Sequence, residues 1–268
     1  MRSRRSRARL ALPALVLASA AVLAPAARGE DLLTLPSVTS VHGANQTFFH
    51  SDVWILNRSH TNSQNLTFRY HCFNGLSCPA APRAIFLAPR ESRLFTDVVV
   101  SSLGAPETAG ALEIGYNASL GEITASSRLY TPSLPSPTSG FSLPALPPSG
   151  ARTRSVFVGL AGSGGDLSQG FRSNAGAYNP NAGPVTVTFT VHSSSGAPLG
   201  TPVVRAFTGH QSLQINDIFT VAGAGGTATN NAYLVVTTDG LPVFPYAAVI
   251  DNKSGDSVWV IPSDDEEP

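Results

Sequence analysis

One stretch of this chain is written twice. Phe49-His50-Ser51-Asp52-Val53-Trp54-Ile55-Leu56-Asn57 returns as Phe171-Arg172-Ser173-Asn174-Ala175-Gly176-Ala177-Tyr178-Asn179, an offset of 122 from Asn57 to Asn179. Three more blocks follow in the same order. Asn65 to His71 matches Val185 to His192, Leu94 to Val99 matches Gln214 to Phe219 at offset 120, and Gly110 to Ile114 matches Asn231 to Val235 at offset 121. Four blocks in one order at a nearly constant spacing describe a structural unit used twice.

The unit is built of strands. In Val185-Thr186-Val187-Thr188-Phe189-Thr190-Val191 every second residue is apolar. Successive strand side chains point to opposite faces, so one face is core and a row of threonines meets water. Threonine suits that wet face, because β-branching favours the strand and the hydroxyl tolerates water. Val53-Trp54-Ile55-Leu56 is apolar throughout, which predicts a strand covered on both sides or lying against a neighbouring domain. Asp97 and Asp217 precede short apolar runs that end near Gly104 and Gly223. They predict N-caps of one- or two-turn helices, with each carboxylate accepting orphan backbone N–H groups. Asp52 and its counterpart Asn174 are read as satisfying turn backbone. Proline-rich chain from Thr131 to Gly140 and from Pro144 to Gly150 cannot pair as an inner strand and places a boundary near 145–154. The expected fold is all-β: two tandem antiparallel β-sandwich (Ig-like) domains, 31–145 and 151–263, after a cleaved signal peptide and before an acidic tail, 264–268.

The start of the chain sets the compartment. Arg2, Arg4, Arg5, Arg7 and Arg9 precede an apolar stretch, Leu10 to Leu23, and then the small residues Ala24-Pro25-Ala26-Ala27. That is the pattern of a secretory signal peptide over residues 1–27. The apolar stretch is short for a membrane span, which needs about 20 residues, and no later segment is long enough, so no transmembrane anchor is expected in the mature chain. An exported protein, periplasmic or extracellular, follows. Five of the 17 Lys and Arg precede residue 28 and all 17 Asp and Glu follow it, so the mature chain carries a net charge of −5. Phosphate binding needs clustered positive charge, which argues against nucleic acid as a partner. Cys72 and Cys78 flank a turn containing Asn74-Gly75, and in an oxidising compartment they are expected as a disulfide. The rival reading, a metal site with His71, is disfavoured because adjacent strand residues face opposite ways.

Chemistry-bearing motifs are weak. Asn117-Ala118-Ser119-Leu120-Gly121 lacks the first glycine of a nucleophile elbow, and Gly162-Ser163-Gly164-Gly165-Asp166 has no Lys or helix after it to hold a phosphate. The six His are scattered, with no His-Glu-x-x-His; His42 and His50 flank one turn and are read as surface or capping groups. No catalytic, metal or cofactor set is assigned. Five Asn-x-Ser/Thr sequons, at Asn45, Asn57, Asn65, Asn117 and Asn252, carry no glycan inference. Trp54, Tyr70, Tyr116, Tyr178 and Trp259 are the candidate ligand-contact aromatics, with core packing the competing role for each ring. Asp52, Asp97 and Asp217 are the candidate turn and cap carboxylates.

The opening Gly43-Ala44-Asn45-Gln46-Thr47-Phe48, the strand Ser51-Asp52-Val53-Trp54-Ile55-Leu56-Asn57 and the close Tyr246-Ala247-Ala248-Val249-Ile250-Asp251-Asn252-Lys253-Ser254-Gly255-Asp256 resemble a family of secreted bacterial proteins with a duplicated β-sandwich repeat. The chain departs from that pattern at His50, Arg58 and the Cys72–Cys78 loop. The resemblance implies a pair of sandwiches outside the cytoplasm and implies no activity. The expected function is a non-enzymatic structural or adhesive interaction module of the envelope or extracellular space, with a protein or surface glycan as partner. The alternatives are a carbohydrate-binding module and an enzyme or enzyme inhibitor working from loops 162–170 or 72–78.

Overall fold

The computed structural model describes residues 30–43, 47–73, 78, 81–132 and 138–263. The expected signal peptide and acidic tail lie outside the described residues, as does most of the loop between Cys72 and Cys78. The first half contains β1 (Asp31–His42), β2 (Phe48–Asn57), β3 (Gln64–Cys72), β4 (Arg83–Leu87), β5 (Ser92–Phe95), helix α1 (Val98–Ser101), β6 (Thr108–Tyr116), β7 (Ile123–Pro132) and β8 (Thr138–Pro144). The second contains β9 (Arg154–Ser163), β10 (Phe171–Tyr178), β11 (Val185–His192), β12 (Val203–Phe207), β13 (Ser212–Ile215), α2 (Ile218–Val221), β14 (Ala228–Thr238), β15 (Phe244–Asp251) and β16 (Ser257–Val260).

All strand pairs between these elements are antiparallel, and they make four sheets in a sandwich-like arrangement. Sheet I runs β5-β2-β7-β8 and sheet II β4-β3-β6-β1, joined where β1 turns into β2. Sheet III runs β13-β10-β15-β16 and sheet IV β12-β11-β14-β9. The strand order of I recurs in III, and that of II in IV. Sheets I and II enclose one core, bridged by Phe68 of β3 edge-on to Phe95 of β5 at 5.3 Å. Sheets III and IV enclose a second, with Phe157, Phe189, Leu234 and Ala247 at its centre.

A third cluster, Ala111, Tyr178 and Phe244, lies between the halves. It is the seam where the outer face of sheet II meets the outer face of sheet III. The burial patterns follow from that stacking. Every residue of β6 is buried, and β10 is buried along nearly its whole length, because each lies between two layers. In β11 burial alternates strictly, as the Val/Thr pattern demands of a strand with one wet face.

Two expectations are corrected. Val53–Leu56 is not covered on both sides: Val53 and Ile55 are core, while Trp54 and Leu56 are 37% and 38% exposed. Among the described residues no layer covers the outer face of sheet I, so its apolar residues are not explained by burial against them. The offset of 121 for the β6 and β14 blocks is one residue short. Pairing of Phe68 with Ile114 and of Phe189 with Val236 sets the offset at 122, which aligns the buried Leu112 with the buried Leu234 and Glu113 with Val235. A slip of one residue would turn every side chain to the wrong face.

Candidate functional site

The outer face of sheet I carries a group of exposed apolar side chains. β2 presents Asp52, Trp54 and Leu56; Trp54 pairs across to Leu94 of β5 on one side and Ser126 of β7 on the other. Leu94 is 47% exposed. Thr124 and Arg128 flank this strip, opposite Leu56 and Asp52. An indole and two leucines are therefore exposed together on one face of the sheet, within a rim of hydroxyl and charged groups. A contiguous apolar patch with a polar rim marks an interaction surface more than a stray exposed leucine does.

The corresponding face in the second half is filled. Tyr178 has its ring stacked on His71 of β3 at 5.0 Å, and its hydroxyl donates to Glu113 Oε1 at 2.8 Å. Glu113 also meets His71 Nε2 at 3.1 Å, and His71 stacks on His210 at 5.7 Å. Burial alone would raise the Glu113 pKa, but the hydrogen bonds from His71 and Tyr178 outweigh it and hold the carboxyl below the usual glutamate range. Burial, aided by the Glu113 charge, pushes the Tyr178 phenol far up, so it stays a donor. This cluster binds the two halves to each other; its atoms are committed to one another. Sequence reasoning missed Glu113, and the signal was present: a lone carboxylate inside the apolar run Ala111–Ile114.

Of the predicted carboxylates, Asp52 and Asp97 meet at one end of sheet I, Asp217 holds the matching place beside sheet III, and the two cap candidates differ from expectation. Asp97 and Asp217 do occupy the positions before α1 and α2, with left-handed φ of 41° and 48°, but neither side chain caps its helix. Asp97 Oδ2 instead accepts from Ser40 Oγ at 3.2 Å and meets His50 Nδ1 at 3.1 Å, and Asp217 accepts from the Thr220 hydroxyl. A four-residue helix leaves little to cap, and both carboxylates are taken up by side-chain partners instead. Asp52 serves turn backbone, accepting from the Asp97 N–H at 2.8 Å, as Asn174 does from the Asp217 N–H at 3.0 Å. Tyr130, stacked on His50 at 5.5 Å, also reaches Asp52. Burial first, then the charges of Asp52 and Asp97, raises its pKa. Serine, histidine and carboxylate are thus close, but both the hydroxyl and the imidazole point at the carboxylate, so nothing here would take a proton from Ser40 and make it a nucleophile.

The other predicted aromatics are spoken for. Tyr70 and Tyr116 are each 8% exposed and belong to the first core. Tyr70 donates or accepts with Thr108, and burial raises the Tyr116 pKa to about 12. Tyr178 is fully buried in the seam, and Trp259 is held between Tyr246 at 5.4 Å and Phe141 at 5.5 Å. Of the five candidate platforms, Trp54 is the open one. Cys72 and Cys78 form the expected disulfide. His42 pairs with the exposed Glu107, at 2.9 Å, with Phe48 packed against both His42 and His50. Loop 162–170 is closed locally, Ser163 Oγ donating to the Asp166 carbonyl. A cleft of about 320 Å³ runs along the edge of β13, beside Arg205, Val221 and Phe73. Among the described residues no three His, Cys, Asp or Glu are grouped to hold a metal, and no helix is long and apolar enough to cross a membrane.

Comparison with known proteins finds no matching family model and no similar protein among the curated ones.

Proposed function

We propose that this chain is an exported, non-enzymatic structural or adhesive module of the cell envelope or extracellular space, and that it binds through the outer face of sheet I. The observation that carries the reading is the exposure of Trp54, Leu56 and Leu94 together on one face, while the equivalent face of sheet III lies under another layer. Export is supported by the arginine-led apolar start of the chain and by the Cys72–Cys78 bond, since disulfides persist in oxidising compartments. The resemblance to secreted bacterial repeat proteins points the same way. The test compares wild type with Trp54→Asp in capture from envelope and secreted fractions. Loss of all Trp54-dependent partners is the expected result. Equal capture by both proteins would remove this face from the reading.

A surface glycan is the second reading, favoured by one feature: the Trp54 ring has Ser126 and Leu94 beside it and Asp52 two residues away on the same face. A ring bordered by hydroxyl and carboxylate groups can stack on a sugar and hydrogen-bond its edge. A glycan array that gives signal with wild type and none with Trp54→Ala supports it; a blank array with wild type ends it.

A further inference from the structure

Sheets I and III hold the same place in the repeated strand order, yet among the described residues only sheet III is covered. Strand registers fix which residues correspond. On β2 and β10, Trp54 matches Gly176 and Leu56 matches Tyr178; on β7 and β15, Ser126 matches Tyr246 and Thr124 matches Phe244. Likewise for sheets II and IV, His71 matches His192, Ala111 matches Tyr233 and Glu113 matches Val235.

Three features of the seam faces have matched counterparts on the two faces left open among the described residues. Tyr246 lies over Gly176, so closely that a Cβ there would come within 2.4 Å of its hydroxyl. On sheet I the same cross-strand pair is Trp54 and Ser126, so an aromatic ring fills the same patch from the neighbouring strand. In the seam the Tyr178 ring meets the small Ala111. The counterparts are Leu56 and Tyr233, so the ring has changed sides. In the seam the Tyr178 hydroxyl donates to the buried Glu113. The counterparts, Leu56 and Val235, are both apolar: donor and acceptor vanish together, and joining the faces would leave neither unpaired. Tyr233 is already held for contact by His192, stacked on it at 4.7 Å and 5°. Val158, across from Tyr233 on β9, is 60% exposed.

We propose that the outer face of sheet I docks a second copy of this chain, presented through the outer face of its sheet IV, so that molecules stack head to tail as the two halves already do within one molecule. The inference rests on sheet I being the binding face and adds what binds it. Two different faces meet, so the contact is heterologous and yields chains or rings rather than a two-fold dimer.

The test uses protein expressed from the full-length sequence and sedimentation velocity over a wide concentration range. Wild type forms a concentration-dependent ladder of species. Trp54→Glu on sheet I and Val158→Glu on sheet IV each weaken association by roughly tenfold or more, while Leu241→Glu, on a loop off both faces, leaves it unchanged. Both altered positions are exposed, and circular dichroism with thermal melting confirms that each variant folds. Mixing the two variants is decisive. Each retains one intact face, and the faces are complementary, so the mixture gives a 1:1 dimer and nothing larger. Wild type that stays monomeric throughout overturns the inference, as does a mixture that fails to pair or a self-association unmoved by both substitutions. If wild type stays monomeric but still captures an envelope component through Trp54, the identity of the partner falls and the binding face stands. If capture is also independent of Trp54, both fall.

Discussion

At the scale of single residues, the repeat is preserved most faithfully where a side chain serves the backbone. Asn57 and Asn179 are both fully buried. Asn57 Nδ2 donates to the carbonyls of Asn62 and Ala88 while its Oδ1 accepts from the Ser59 N–H; Asn179 repeats this with Gly183, Thr208 and Asn181. Ser51 and Ser173 do the same for β1 and β9, their hydroxyls accepting from the Thr39 and Ala161 N–H groups. Each asparagine stitches two turns to the end of a central strand. Truncating the asparagine forfeits three part-buried hydrogen bonds at once, each worth about 0.5–1.5 kcal/mol net. Asn179→Ala is therefore expected to cost about 3 kcal/mol, read as a lower urea midpoint with unchanged slope. These positions were legible as the fixed points of the repeat, and Asp52 and Asn174 as turn residues. Glu113 was not, because aligning the β6 block with β14 one residue short set it against the core residue Leu234.

At the scale of elements, alternation in the sequence told strands from everything else, but could not tell which sheets are inner. Val53–Leu56 reads as doubly covered and is not. β6, Thr108–Tyr116, is covered on both faces and is built largely of small residues, because close approach of layers favours small side chains as much as apolar ones. Periodicity reports one buried face; a second is set by what the neighbouring half presents, and that information lies far away in the chain. β2 and β10 make the contrast measurable. At Gly176 an added Cβ would also come within 2.5 Å of the Leu213 carbonyl. Neither the buried Tyr246 nor a paired backbone can yield freely, so Gly176→Ala is expected to destabilise by about 1–3 kcal/mol. The same place on β2 holds an indole open to solvent. Trp54→Ala, at a ring 37% exposed, should cost about 1 kcal/mol or less. Denaturant titration of both variants checks the pair; a large loss for Trp54→Ala would mean that the ring is part of the fold rather than of a binding face.

At the scale of the whole molecule, the halves are joined through a mostly apolar seam with one buried charge in it. That makes their union sensitive to acid. The Glu113 carboxyl titrates below the ordinary glutamate value because His71 and Tyr178 hydrogen-bond its charged form more than burial penalises it. A depressed carboxylate contributes stability that is fully present above its unfolded pKa and is lost as pH falls through the folded one. The window therefore lies at and below the ordinary glutamate value of about 4.3. Tyr178→Phe removes one of the two hydrogen bonds and raises the Glu113 pKa toward its unfolded value, so this variant is less stable than wild type at neutral pH and loses less as pH falls. Glu113→Gln keeps an acceptor for the Tyr178 hydroxyl but has no charge to lose, so it is less stable than wild type at neutral pH and converges on it in acid. Glu113→Ala strands the Tyr178 hydroxyl at every pH and stays below both. Urea midpoints of the four proteins, taken from pH 7 downward, separate these curves. Parallel acid limbs for wild type and Glu113→Gln would show that the buried carboxylate does not hold the seam, and that its apolar contacts alone keep the halves together.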